Sequence, residues 1–200
     1  MTGFTQTLAA SLPAGLELSE VQLARLEHHF TLLLNWNRRL NLTRITKLEV
    51  AVDRHYGESL FVATMLPRHG FTLVDVGSGA GFPGIPIAVA LPWAAVTLVE
   101  SDQRKAVFLR EASSGLSNVA VQSKRVSDLG DHFDWLTSRA VNWTVVEPWA
   151  AGHVRHVALM TTATEARALE NKGSLIVTAI GSMPGTERVV VIGDVPRETC

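Results

Sequence analysis

The sequence runs to 200 residues, of which 46% are hydrophobic and 18% charged. That is enough apolar material for one sizeable core with a modest extension and excludes a disordered chain, while a net charge of −1 leaves any nucleic-acid binding to local basic clusters. The single cysteine, Cys200, permits no intrachain disulfide or cysteine metal cage. Residues 1–18 have no basic-then-apolar leader, and Pro86 and Pro92 interrupt the apolar run at 85–91, so a cytoplasmic chain with no membrane contact is expected.

Residues 1–18 read as a loose arm. A helix is predicted from Ser19, where Gln22 three residues on completes a capping box, and Leu23, Leu26, Phe30, Leu33 and Leu34 give it one apolar face. Trp36 to Thr43 reads as a polar, basic turn. Thr46 and Glu49 form a second capping box that opens a helical stretch to about residue 66. Residues 1–66 are therefore expected to make an arm and a helical cap, and residues 67–200 a second unit. There the pattern changes to strands at 72–76, 95–100, 119–122 and 133–138, with helices at 84–91 and 102–113. Such alternation argues a parallel sheet covered on both faces. Beyond residue 141 the signal weakens: a fifth strand is expected at 154–160, a helix at 164–169, and two antiparallel strands at 174–180 and 188–192 closing one edge. The class is α/β, with a mostly parallel seven-stranded sheet.

The most informative segment is Leu73-Val74-Asp75-Val76-Gly77-Ser78-Gly79-Ala80-Gly81-Phe82-Pro83-Gly84. An apolar strand that runs into glycines and then a helix is a nucleotide-cofactor turn, because a residue without Cβ accepts positive φ and lets a ligand approach the backbone. Read from Gly79, it fits the dinucleotide pattern G-x-G-x-x-G. Read from Asp75, it is D-x-G-x-G-x-G, the turn of S-adenosylmethionine (SAM) methyltransferases. The second frame fits better, since Gly77 directly ends the strand and the first frame puts Pro83 inside the phosphate turn. Glu100, which ends the second strand about 20 residues on, is where an acid accepts ribose hydroxyls in either cofactor class. Val126, Ser127 and Asp128 follow the third strand at the crevice edge and are candidates for holding adenine. Arg139 ends the fourth strand and suits the SAM carboxylate, a substrate phosphate or a salt bridge to a nearby acid.

Basic residues cluster as Arg38, Arg39, Arg44, Lys47, Arg54 and His55, then Arg104, Lys105 and Arg110, then Lys124 and Arg125. Facing one channel, they would contact phosphates; the competing reading is an ordinary solvated face. His153 and His156 have the form H-x-x-H without a further ligand at suitable spacing, so no metal is expected. His28 and His29 are read as packing or surface residues of the first helix.

Several separate motifs together resemble the glucose-inhibited division protein B family of bacterial 16S ribosomal RNA guanine-N7 methyltransferases. They are Asn35-Trp36-Asn37-Arg38-Arg39-Leu40-Asn41-Leu42-Thr43, Arg54-His55 with Glu58-Ser59-Leu60, and Asp75 through Pro86. Arg104-Lys105 with Phe108-Leu109, Arg125-Val126 and Ser138-Arg139-Ala140 follow in the family's order. The resemblance covers residues 20–140 and implies a Rossmann-like SAM-dependent methyltransferase fold. By position it carries SAM binding to Gly77, Phe82, Val126, Ser127 and Arg139, to which the reading of the turn and of the second strand's end adds Asp75, Ser78, Gly79, Gly81 and Glu100 as expected cofactor residues. It also implies that Asn41, Arg54, His55 and Arg139 lie near the substrate face; with Arg38, Arg39 and Arg125 from the basic clusters, Asn41, Arg54 and His55 are expected to meet 16S rRNA, naked or in the small ribosomal subunit, and the enzyme is expected to be a monomer. No single catalytic residue follows from it. The chain departs from the family's pattern at Glu58 (usually Asp), at Ser127 (usually acidic) and at Leu159-Met160-Thr161 (usually Leu-Lys-Gly). The alternatives at this point are a small-molecule SAM methyltransferase, an NAD-linked oxidoreductase, and a non-enzymatic RNA-binding assembly factor.

Overall fold

The computed structural model of the chain describes residues 3–183 and 186–196; Cys200 and the Pro184-Gly185 part of the expected edge turn lie outside the described residues. Helix α2 (Glu20–Leu40) starts where the sequence places it, with the Ser19 side chain accepting from the Gln22 backbone and the Gln22 side chain accepting from the Ser19 N–H. Its apolar face buries Leu23, Leu26, Phe30 and Leu33. The helix takes in residues 36–40 of the expected Trp36–Thr43 turn and is capped by Asn41, in the left-handed region at φ 47°. Polar residues there form its solvated last turns, where Arg38 and Arg39 suit the negative helix end.

Two further expectations about the cap are corrected. The arm contains helix α1 (Gly3–Ala10), which buries Phe4 and Leu8. Phe4 stacks on Phe30 at 5.1 Å and meets Tyr56 edge-on at 5.0 Å, so tertiary packing holds a helix too short to form alone. The second capping box does not form. Helix α3 (Leu48–Ala51) begins after Lys47 without a side-chain cap, then passes through a π-helical turn (Val52–Gly57) into α4 (Glu58–Thr64).

Strands β1 (Phe71–Val76), β2 (Ala94–Val99), β3 (Val119–Gln122), β4 (Phe133–Arg139), β5 (Val154–Thr162), β6 (Ile176–Ser182) and β7 (Arg188–Asp194) form one sheet in the order β3-β2-β1-β4-β5-β7-β6. The first five are parallel. β7 runs antiparallel between β5 and β6, in line with the β-branched run at 188–192. Helices α5 (Gly84–Ala90), α6 (Gln103–Ala112) and α8 (Ala163–Asn171) match their expected positions, and α7 (Trp143–His153) is an element the sequence does not announce. Asn142 caps it and Trp143, Val146 and Trp149 bury its face, while the internal Pro148 disguises it as a loop.

Strand alternation sends Leu73, Val96, Leu98, Ala158 and Met160 to one face and Val74, Val76, Val99, Val157 and Leu159 to the other. The first face packs on α5 and α6 and on the cap, so residues on both sides of position 66 share one core. The second face packs on α7 and α8. Among the described residues no helix is long and apolar enough to cross a membrane.

Candidate functional site

The strand order reverses between β1 and β4, and in an open parallel sheet the crevice at the carboxyl ends of such strands is where ligands bind. The glycine turn leaves β1 at that point. Gly77 and Ser78 both donate their N–H to the Val99 carbonyl (2.9 and 3.1 Å), and Gly79 donates to Glu100 Oε2 (2.9 Å). Glu100 is buried, and its other oxygen accepts from the Asp102 N–H at 2.8 Å. One carboxylate thus clamps the glycine turn to the start of α6.

The glycines differ in what they face. At Gly77 (φ +70°) a Cβ would sit 2.6 Å from Val141 Cγ2, and at Gly84 it would meet Leu98 Cδ2 at 2.4 Å and Asp75 Oδ2 at 2.6 Å. Those two are glycine for close packing. Gly81 (φ +87°) faces Ile85 and His29. Gly79 (φ +55°) is the open one, with nothing nearer to its virtual Cβ than Gly77 O at 3.7 Å. A bound group therefore has access to the backbone at Gly79.

Asp75 lies fully buried beneath the turn. Oδ2 accepts from Gly84 N at 3.1 Å, Oδ1 has no partner, and burial, aided by the Glu100 charge, pushes its carboxyl up to about 7. Phe82 does not open into the crevice. It sits among cap rings, stacked on His55 at 4.6 Å and edge-on to Tyr56 and His29 at 5.1 and 5.0 Å.

Two histidines join the cap to the site. His29 is fully buried, and its Nε2–H donates to the Ala80 carbonyl at 2.9 Å. Since a carbonyl only accepts, Nδ1 is left to accept from the Tyr56 hydroxyl, also 2.9 Å away. Burial lowers His29 to about 4, so it is neutral. His55 accepts from Arg139 Nη1 at 3.1 Å through Nδ1, which places its proton on Nε2, 2.8 Å from Thr43 Oγ1. Burial first, then the Arg139 charge, lowers it to about 3. From the sequence His29 reads as packing, and Tyr56 carries no signal. What could have marked His29 is its place three residues after Leu26, on the apolar face of α2.

Arg139 is held by Glu58 at 3.5 Å, and Arg188 and Arg54 reach the same carboxylate at 3.3 and 3.5 Å. The nearby-acid reading of Arg139 therefore describes its geometry, and the acid sits where the family usually has Asp. Ala140 beside it adopts φ +60°, strained for a non-glycine residue. Val126 and Ser127 form a 3-10 turn after β3, with Val126 against the second core and the exposed Ser127 hydroxyl on Asp128 (3.1 Å). Arg125 is exposed at its start. On the cap, Arg38, Arg39 and Asn41 lie at the solvated end of α2, and Arg54 lies in the π-helical turn beside His55.

Met160, in place of the family's lysine, is buried in β5. His153 and His156 separate, the first donating to Trp149 O and the second bonded to Asp194 Oδ1; among the described residues no group of three or more potential ligands is placed to hold a metal. A cavity of about 820 Å³, lined by Thr72, His132, Asp134 and Arg155, lies at the opposite, amino-terminal edge of the sheet and has no part in this crevice.

A sequence profile described as rRNA small subunit methyltransferase G matches residues 22–163. The Ribosomal RNA small subunit methyltransferase G of Halorhodospira halophila is 43% identical over 129 residues, 63% of this chain and 61% of the relative. That of Sorangium cellulosum is 39% identical over 153 residues, 72% and 63% of the two chains. This chain thus spans about three fifths of the length of the curated relatives it matches. A SAM-dependent methyltransferase from Aquifex aeolicus superposes with TM-score 0.59 at 14% identity, covering 74% of this chain and 93% of its own. Aeropyrum pernix fibrillarin, solved with bound S-adenosyl-L-methionine, gives 0.55 at 14% identity, covering 67% and 79%. These likenesses establish the Rossmann-like methyltransferase fold.

Proposed function

Because the chain belongs to the rRNA small subunit methyltransferase G family, we propose that it transfers the methyl group of SAM to N7 of a guanosine in bacterial 16S ribosomal RNA. The observation that carries this is the glycine turn at the β1/β4 switch point, closed by packing at Gly77, Gly81 and Gly84 and open only at Gly79. A backbone approachable at that one glycine, flanked by the buried Glu100, suits a nucleoside cofactor with an amino-acid tail. In this reading the tail meets the turn backbone at Gly79, Gly77, Ser78 and Gly81 shape the turn that receives it, and Asp75 and Phe82 hold the turn from below and from the cap. Glu100 keeps spare lone pairs for ribose hydroxyls. Val126 and Ser127 border the adenine, and Arg139 meets the tail carboxylate.

Bound SAM supplies an electrophilic methyl on a sulfonium. Guanine N7 presents an unprotonated lone pair, so an N–C bond can form as the S–C bond breaks without prior loss of a proton. The site is consistent with that requirement. His55, a candidate base on the cap, is neutral with Nδ1 taken by Arg139 and Nε2 by Thr43. The residues around the crevice position the base and exclude water, a proximity effect. The target base must be unpaired or extruded, because side chains cannot enter the A-form major groove. Arg38, Arg39, Asn41, Arg54, His55 and Arg125 are the residues proposed to face that RNA. The protein would act as a cytoplasmic monomer on naked 16S rRNA or on the small subunit.

Calorimetry with SAM and with NAD tests the cofactor. SAM binding that the Gly79→Val variant loses is the expected result, and tight NAD binding without SAM binding would overturn it.

A further inference from the structure

Apart from the cofactor crevice, the carboxyl edge of the sheet carries a second concavity. It opens where the last turns of α2 pass the first turns of α6, with a volume of about 530 Å³, within the ordinary range for a small-molecule site. Its lining is three guanidiniums, Arg38, Arg39 and Arg104, over an apolar floor of Trp36, Leu40 and Val107, with Asn35 at the side. Among the described residues no carboxylate lies within 4.0 Å of Arg38 or Arg39, and Arg104 is 74% exposed with only a 3.9 Å contact to Asp102. Glu111, further along α6, is turned to Trp36, accepting its indole N–H at 3.1 Å.

The helix-end position of Arg38 and Arg39 accounts for their charge, but not for Val107. That side chain is 49% exposed on α6, while its neighbours Ala106, Phe108 and Leu109 are buried. An exposed valine beside partly buried Trp36 and Leu40, in one groove with three guanidiniums of which Arg38 and Arg39 have no carboxylate partner among the described residues, matches a flat apolar base attached to phosphates. Base faces stack on apolar and aromatic surfaces regardless of sequence, and guanidiniums pair with phosphate or stack on the base. The Asp102 cap at the start of α6 accepts from Arg104 N and Lys105 N, and Glu100 holds the Asp102 N–H, so the groove is tied to the cofactor turn through two residues.

We infer that this groove is a subsite for one unpaired nucleotide of an RNA strand, distinct from the target base. Its base rests on Val107, Leu40 and Trp36, and its flanking phosphates meet Arg38, Arg39 and Arg104. The inference rests on the rRNA reading above and adds to it the requirement for an unpaired neighbour on the cap side of the crevice.

The test is binding of the full chain to a fluorescent ten-nucleotide single-stranded RNA and to its duplex, with Val107→Asp, Val107→Lys and Arg104→Ala as variants. Calorimetry with SAM reports the integrity of each variant. Wild type should prefer the single strand. Val107→Asp should weaken it about tenfold, and Val107→Lys should weaken it too, since both replace the floor. SAM affinity should hold throughout. If Val107→Asp fails to fold, Val107→Lys and Arg104→Ala decide. Tighter binding by Val107→Lys would reduce the groove to a backbone track and overturn the base subsite. Full single-strand affinity in Val107→Asp would overturn the subsite and leave the rRNA reading standing. A wild-type protein that binds SAM but no RNA would overturn the rRNA reading itself, and the subsite with it.

Discussion

Replacing His29 with leucine should damage both the fold and the cofactor turn. The substitution keeps an apolar body of similar reach but removes two buried hydrogen bonds, to Ala80 O and from Tyr56 Oη. Each partner left unsatisfied in the interior costs about 1–3 kcal/mol, so about 2–6 kcal/mol is expected for the two. For a chain of this size, at about 2–4 °C per kcal/mol, that corresponds to a fall in Tm of about 4–24 °C. The pH dependence gives a sharper signature. His29 and His55 titrate near 4 and 3 in the fold but near 6.5 in the unfolded chain, so acid favours unfolding through both. Asp75 acts oppositely, since its folded carboxyl keeps a proton up to about 7 and its unfolded one releases it near 3.8. Between about pH 4 and 6.5 the unfolded state therefore binds a net one more proton, and stability should fall by about 1.4 kcal/mol per pH unit on acidification. His29→Leu removes one of those protons and should flatten that slope to near zero. Urea melts across that window, on wild type and variant, make the comparison. An unchanged slope and Tm would refute the buried, neutral His29.

Other perturbations separate the roles of the remaining groups. Gly79→Ala should leave the melt within about 1–2 kcal/mol of wild type, the cost of a left-handed non-glycine residue, yet weaken SAM binding; Gly84→Ala, which drives a methyl into Leu98 and Asp75, should lower Tm strongly. Arg139→Ala should cut methyl transfer severely while Arg188 and Arg54 still hold Glu58, so the melt should lose only the about 1–3 kcal/mol of leaving His55 Nδ1 unpaired; a folded variant with full activity would make Arg139 an ion-pair partner only. The Arg38→Ala/Arg39→Ala double variant should flatten the salt slope of single-stranded RNA binding by up to about 1.4, at roughly 0.7 for each phosphate no longer neutralised, with SAM affinity unchanged. Identical slopes would remove the cap arginines from the RNA path.

The parts of this fold that announce themselves locally were legible in the sequence. The Ser19–Gln22 box, the glycine turn and the β-branched runs each encode their structure within a few residues, and the parallel sheet followed from the alternation. What stayed hidden depends on distant partners or on misleading composition. Helix α1 exists because Phe4 and Leu8 find a core that includes Phe30 and Tyr56, and α7 exists despite Pro148. The arginines and asparagines at 37–41 resemble a turn because solvated helix ends use the same residues. In the candidate site, Gly77, Gly79 and Glu100 could be named from position along β1 and β2. The contact of His29 with Ala80 spans 51 residues, and the grouping of Glu58 with Arg54, Arg139 and Arg188 draws on the cap and two strands. No local pattern encodes such meetings.

The most direct test of the account is transfer of the labelled methyl group of SAM to small-subunit RNA from a strain lacking the family's enzyme, offered both deproteinised and as assembled subunits. Nucleoside analysis of the product identifies the modified atom. The account predicts incorporation into 16S rRNA as 7-methylguanosine at a single site, abolished by Gly79→Val. Binding of SAM and RNA without incorporation, or a methyl group on any other atom or on a small molecule, would contradict it.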